Sequence, residues 1–562
     1  MRFKAALIKR RYPRTYKFLL YSSPFFIYLL ISILFFGPHD LSAIHSSLFN
    51  NSSDPQSFVW FLNWWPYSIL HGLNPFISKY VWYPSGFNLT WSTSIPTAAL
   101  MMTPITLLWG ALVSFNVLAI LAPVLSALTC FYLVYYLTKN YLPSLFSGYI
   151  FGFSSYELGQ LLGHTNLYLT FLLPLIILVF LLYLNYHIGK VTFILLTSLM
   201  LAAEFGISNE VYTTFILFGF LAILIFYLTG SKRFRHRLLN TTKYLIFSLL
   251  ISLIILAPYL YFIFKTYTGV ITSLPVMYSA DILNFIVPTP ITRFGGVMYS
   301  SLSSKFIGNF SEEGSYIGLP FVILLMYISI KYWKKIYIKE LSVLFLIVAL
   351  FTLGPVFHFG GTSEHFYLPW NLTTYIPLVK YALPDRFSMY LFLLLAVLIG
   401  IWLEMQCTPN KKLFKYAVVL VAISFILPNA SLNSWQKVSV PSVYNKKNIG
   451  SYVKKGSSVL MLPYNLVEKN LYFQYDSGMH FKMAGGNIDS KPSTLAGMIL
   501  TVSFLSGTPD PNFKSDLYQF CKEHDVAEII YTPSITPYLK TELSSIKWST
   551  KVVNDAAIIS VP

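Results

Sequence analysis

Apolar runs of roughly 15 to 25 residues recur from Tyr16 to about Pro428, and no other feature of this 562-residue sequence limits its fold as strongly. In lipid such a run must satisfy its own backbone polar groups, which a helix does and a lone strand does not. The alternating pattern of a membrane barrel is missing, so the class is an α-helical membrane protein. Composition agrees: 55% of the residues are hydrophobic, 18% aromatic and only 11% charged.

The formal charge of +18 could point to nucleic acid, but the basic residues sit in short clusters between apolar runs and read as topology anchors. No nucleic-acid partner is expected. Cys130, Cys407 and Cys521 are far apart in sequence and suggest neither a disulfide framework nor a zinc site. The start of the chain carries Arg2, Lys4, Lys9, Arg10, Arg11, Arg14 and Lys17 without an acid, then an apolar stretch to about Phe36 that lacks a small-residue cleavage site. It reads as an uncleaved first helix entering from the cytoplasm.

Three basic loops fix the threading: Lys232, Arg233, Arg235, Arg237 and Lys243; Lys331, Lys334, Lys335 and Lys339; and Lys411 with Lys412. All three should be cytoplasmic. The crossings before the first of them must be even in number, whereas hydropathy alone offers seven candidates. Pro96 to Gly110 is the weakest, being short and interrupted by Pro104, and is better read as an interfacial or re-entrant helix. The spans become about 17–37, 115–138, 142–157, 166–186, 190–206, 211–229, 244–266, 314–332, 340–357, 386–405 and 414–430. That is about eleven transmembrane helices, with the N-terminus inside and the tail outside.

Residues 1–430 are thus expected to form a transmembrane domain with outer loops at 38–95 and 267–313. Residues 431–562, with strand-length apolar runs at Ser458 to Pro463, Ala527 to Tyr531 and Val552 to Val561, are expected to form a small extracytoplasmic α/β domain. The threading brings Asp54, Glu157, Glu204, Glu210, Asp281, Glu312, Glu313, Glu364 and Asp385 to the outer side, together with His164. Scattered loop acids would not segregate in this way, so the outer face is expected to carry the chemistry. No Walker loop, dinucleotide fingerprint or internal repeat is present, which disfavours an ATP-driven pump.

The first outer loop reads Ser-Asp-Pro-Gln-Ser-Phe-Val-Trp-Phe-Leu-Asn-Trp-Trp-Pro from Ser53, His-Gly-Leu-Asn-Pro-Phe from His71 and Tyr-Pro-Ser-Gly-Phe-Asn-Leu from Tyr83. Trp60, Trp64, Trp65, Trp82 and Trp91 suit the headgroup belt, so helices here are expected to lie along the membrane surface and hold Asp54 near a lipid-bound substrate.

With this loop the chain resembles the type C glycosyltransferases, integral membrane enzymes that take a sugar from a polyprenyl-phosphate donor on the outer face. The likeness covers the whole layout. In sequence it rests on Asp54 to Leu89, on Glu-Gly-Ser-Tyr-Ile-Gly-Leu-Pro ending at Pro320, and on Pro-Asp-Arg-Phe from Pro384. It implies that Asp54 is the base that takes a proton from an acceptor hydroxyl. The family often pairs this acid with a second one, whereas here Asp54 is followed by Pro55, so a divalent cation such as Mg or Mn stays open.

Physical chemistry asks for the same parts: a carboxylate near the anomeric carbon and cations for the leaving phosphate. Asp54 would also serve as the cap of a helix beginning at Pro55. Glu204 and Glu210, in Ala-Ala-Glu-Phe-Gly-Ile-Ser-Asn-Glu, are costly at membrane depth unless they line a polar cavity or bond to neighbouring helices. With His164 and Glu157 they form a candidate acceptor pocket, where by the resemblance His164 stands in a turn at which many relatives carry an acid. Arg386 is the candidate for the donor phosphate, with Lys305 and Arg293 beside it, since arginine offers a fork of donors; snorkelling to headgroups competes.

The reading is a glycosyltransferase of the cell (inner) membrane, moving a hexose or pentose from a lipid-phosphate donor to a glycan, lipid or protein acceptor among membrane lipids. The alternative is a transporter or flippase of lipid-linked glycans. Inverted repeats would favour it, and only the segment near Pro104 is interrupted.

Overall fold

The computed structural model describes residues 13–50, 54–265, 275–296, 298–375, 379–464, 469–486 and 495–562. The chain divides into two compact units. One comprises Met1–Leu41, Val117–Ala257 and Gly269–Ser434, and the other Ser42–Asn116, Pro258–Thr268 and Trp435–Pro562. The unit that holds the tail therefore also holds the first outer loop.

The first unit is helical. Among the described residues of the chain, five stretches are long and apolar enough to cross a membrane: Ala111–Thr138, Thr165–Leu184, Asn209–Thr229, Lys232–Ile255 and Pro384–Glu404. Helices occupy the other expected stretches too, some of them short. Tyr141–Gly152 has 12 residues, about 18 Å at 1.5 Å per residue, so the run expected to cross at 142–157 falls short of a 30 Å core. Ser154 is the reason: its hydroxyl accepts from Glu157 N and starts a separate helix, Ser155–Gln160. Ser231 likewise caps Lys232–Ile255, so the basic cluster lies on the helix rather than in a loop before it.

The helices close on one another at small residues. A Cβ on Gly148 would stand 2.1 Å from Tyr28 Oη and 2.5 Å from Ala127 O, and one on Gly400 would stand 2.4 Å from Val134 Cγ1. At these points the neighbouring helices leave no room for a side chain unless they shift. Ser147 Oγ donates to Ala396 O at 2.7 Å and Ser32 Oγ to Ile120 O at 2.6 Å, so hydroxyls tie the helices together. Ser388–Glu404, buried along nearly its whole length, is the axis of this unit.

In the second unit the tail forms a five-stranded sheet. Ser458–Leu462 runs parallel to both Lys482–Met483 and Val526–Tyr531; the latter pairs antiparallel with Ala556–Ser560, which pairs with Thr550–Val553. Helices Lys469–Asp476, Leu495–Ser506, Phe513–Glu523 and Pro537–Ser545 complete an α/β domain. The run Val552 to Val561, read as one strand, is a hairpin, because Asn554 takes a positive φ of 48° and turns the chain.

Two further helices belong here, one in the first outer loop and one just after it. Pro96–Trp109 has 14 residues, too short to span, with Leu100, Met101, Leu107, Leu108 and Trp109 exposed along it. Asp54–Leu70 differs from expectation. Trp60, Trp64 and Trp65 are buried, as is Trp82, and of the five tryptophans only Trp91 is exposed. The N–H groups of three of them find protein partners in place of headgroups: Trp60 Nε1 donates to Gln474 Oε1 at 2.7 Å, Trp64 Nε1 to Pro75 O at 3.0 Å and Trp65 Nε1 to Ser94 O at 2.9 Å.

Candidate functional site

Three segments of the first unit meet around Arg386: the helix Ser155–Gln160, the loop before Leu319, and the turn Pro384–Phe387. The two motifs that carried the sequence likeness interlock here. Asp385 accepts from Gly314 N at 2.8 Å and from Ser315 Oγ. Gly314 must be glycine, since a Cβ would lie 2.8 Å from Tyr156 Cα. Ser155 Oγ then donates to Tyr316 O at 2.6 Å, fastening the helix to the loop.

Arg386 is the centre of this arrangement. Its Nε donates to both carboxylate oxygens of Glu312, at 3.1 and 3.0 Å, and its Nη2 pairs with Glu312 Oε1. Nη1 pairs with Glu210 Oε2, while Glu210 Oε1 accepts from Leu383 N at 2.8 Å. Glu210 sits in the first turn of Asn209–Thr229, where the helix N-terminus also favours an anion. Side-chain exposure is 15% for Arg386, 18% for Glu210 and 2% for Glu312, so the trio is largely withdrawn from solvent and Glu312 is its deepest member. Burial works to raise the Glu312 pKa, but the guanidinium outweighs it and holds the group below the ordinary carboxylate range. His164 joins at the edge, its Nδ1 2.7 Å from Gln160 Oε1 and 3.8 Å from Glu312 Oε1. Next along the loop, Glu313 has no such cation. Burial, with Asp385 and Asp281 nearby, pushes its pKa up to about 8.

Of the residues singled out in the sequence, Arg386, Glu210 and His164 therefore come together. Glu157 and Glu204 do not join them. Glu157 takes hydrogen bonds from Ser126 Oγ at 3.4 Å and Thr170 Oγ1 at 3.3 Å. Glu204 is fully buried near the end of Lys190–Phe205, and among the described residues neither of its oxygens has a hydrogen-bond partner. Lys305 and Arg293 are exposed, and among the described residues neither forms an ion pair. Glu312, which holds Arg386 most closely, was only one of nine outer acids in the sequence; its signal was adjacency to the Glu-Gly-Ser-Tyr motif. The Glu364 side chain lies outside the described residues.

Asp54 belongs to the second unit. It stands in the first turn of the helix described over Asp54–Leu70. Ser57 Oγ donates to its carbonyl at 2.8 Å. A carboxylate in this first turn is stabilised by the N-terminal partial charge. Among the described residues no three His, Cys, Asp or Glu side chains gather as a metal ion would require.

In fold the chain is similar to solved glycosyltransferases, and its described helices include five long and apolar enough to cross a membrane. Arabinofuranosyltransferase AftD from Mycobacteria superposes with a TM-score of 0.54 at 13% identity, covering 96% of this chain and 41% of that one. The oligosaccharyltransferase of Archaeoglobus fulgidus does so with a TM-score of 0.51 at 10% identity, covering 92% and 70%. The same enzyme in complex with Zn and sulfate gives 0.50 at 11% identity, over 91% and 68%. No protein-family model and no curated protein matches the sequence.

Proposed function

We propose that this chain is a membrane glycosyltransferase that moves a sugar from a polyprenyl-phosphate-linked donor to a glycan, lipid or protein acceptor on the extracytoplasmic face. The observation that carries the reading is the likeness of fold to two glycosyltransferases over more than nine-tenths of the chain. The threading with about eleven spans and an inside N-terminus is part of the same proposal.

In this reading Asp54 takes the proton from an acceptor hydroxyl, the freed oxygen attacks the anomeric carbon, and the lipid phosphate leaves with the bonding electron pair. The leaving group needs cations. Lys305 and Arg293 offer them directly, whereas Arg386 must first release Glu210 or Glu312, because the trio already has one more negative charge than positive. His164 and Glu210 contribute polar edges suited to hydroxyl groups of an acceptor. Glu157 and Glu204 are assigned to packing between the helices of the first unit. Among the described residues no cluster of His, Cys, Asp or Glu fits a metal ion such as the zinc of the Archaeoglobus structure.

The test uses purified protein in nanodiscs with polyprenyl-phosphate sugars, read by mass spectrometry of the glycosylated product. Asp54→Asn should lose roughly two or more orders of magnitude in turnover, the usual share of a general base, with the protein properly inserted. Undiminished transfer by that variant removes Asp54 from the role; absence of transfer with any donor, alongside movement of lipid-linked glycans across vesicles, establishes the flippase alternative instead.

A further inference from the structure

The tail sheet does not stop at its own last strand. Met483 N donates to Tyr80 O at 2.9 Å, Tyr83 N to Met483 O at 3.0 Å and Trp82 N to Gly485 O at 3.0 Å, so the first outer loop runs along its edge. His524 Nδ1 stands 2.6 Å from Tyr83 O. Beside this seam lies Gln474, fully buried, with its amide satisfied on both sides. Its Oε1 accepts from Trp60 Nε1 at 2.7 Å, and its Nε2 donates to Tyr80 O at 2.8 Å and Phe481 O at 2.9 Å. One side chain of the tail thus holds the helix Asp54–Leu70, the loop behind it and its own strand entry.

We propose that Gln474 is a positioning residue for Asp54, and that the C-terminal domain acts in catalysis by fixing the helix that carries this acid. The inference rests on the reading of Asp54 as the base. Trp60 lies six residues, about 9 Å, along the helix from Asp54 and is stacked on Trp64 at 5.2 Å, with the rings within 4° of parallel. The helix is buried on nearly every face, yet apolar contacts are non-directional and leave its rotation and slide weakly fixed. Hydrogen bonds supply direction. Those of Trp64 and Trp65 end within the loop, whereas that of Trp60 ends on the tail. Misplacing a catalytic group by about 1 Å costs up to a hundredfold in rate, so this bond is where the tail would be felt in turnover.

The experiment compares Trp60→Phe, which keeps a ring and deletes the N–H, with Gln474→Leu, which deletes the amide, and with the double variant. Leu543→Ala, at a residue buried elsewhere in the same domain, controls for lost stability. Trp60→Phe and Gln474→Leu should each lower kcat roughly tenfold or more with donor KM within about twofold, and the double variant should lose no more than the worse single one. Hydrogen exchange of residues 54–70 should quicken in both and stay unchanged in Leu543→Ala, which should keep its kcat. Additive losses, an equal kcat loss in Leu543→Ala, or wild-type kcat in Trp60→Phe would overturn the proposal; that last variant decides the matter if Gln474→Leu does not fold. Wild-type turnover by Asp54→Asn overturns the base reading and this proposal with it. An inactive Asp54→Asn beside a fully active Gln474→Leu overturns this proposal alone.

Discussion

Replacing Arg386 with methionine leaves two carboxylates facing each other without their cation. The guanidinium meets Glu312 through Nε and Nη2 and Glu210 through Nη1, and its removal takes the trio from one net negative charge to two. Removing one partner of a buried ion pair costs about 3–5 kcal/mol, since the remaining charge stays desolvated. The share of Glu312, at 2% exposure, is the larger; Glu210, at 18%, keeps solvent and the Leu383 N–H. Glu312→Gln, which leaves Arg386 one carboxylate and an amide oxygen, should cost less, about 1–3 kcal/mol. The triple variant Arg386→Met, Glu210→Gln, Glu312→Gln should regain most of the loss, because no isolated charge is left. Unfolding of the reconstituted protein in mixed micelles, titrated with SDS, measures all three. Unfolding of Arg386→Met at the wild-type SDS fraction would refute the argument. It would mean that the fork is not committed to these carboxylates and is free to hold a phosphate, in which case the same variant should weaken donor binding instead.

Glu313, with its pKa at about 8, carries its proton into the folded state and loses it when unfolded. Its contribution is therefore present below the ordinary carboxylate range and falls as pH rises towards 8, by at most about 1.4 kcal/mol per unit. Unfolding midpoints at pH 6 and pH 9 should diverge in the wild type and converge in Glu313→Gln. Glu312, shifted the other way, is ionised throughout that window and adds no slope. Gly314→Ala puts a methyl 2.8 Å from Tyr156 Cα and should destabilise by about 1–3 kcal/mol in the same titration, whereas Gly219→Ala meets nothing within 4 Å and should be neutral or stabilising.

The class of fold was legible because lipid imposes it: long apolar runs must be helices, and the tail departs from that pattern at about Ser431. The interlocked motifs were legible as segments, but Asp385 reaching Gly314 across 71 positions was not. Apolar helices that are hydrophobic all round give no sign of which face turns inward, so Glu204 and Glu157 could not be separated from Glu210 by pattern. The tryptophans misled for a related reason. An indole N–H with a distant partner such as Gln474 looks, in sequence, the same as one that meets a headgroup. Glu312 was hidden by number, one acid among many, until Arg386 marked it.

The seam between Tyr80–Tyr83 and Met483–Gly485 also sets an order of events in biosynthesis. The bonds that close it join residues 394 to 441 positions apart. At about 5–20 residues per second, the first loop emerges some 20–90 s before the chain that completes it. During that interval Trp60 and the open backbone edge lack the partners that the tail supplies. Truncation before Gln474 should therefore leave the first loop without the partners that the tail supplies, and the quality control of the cell would meet this protein first at its beginning, for want of its end.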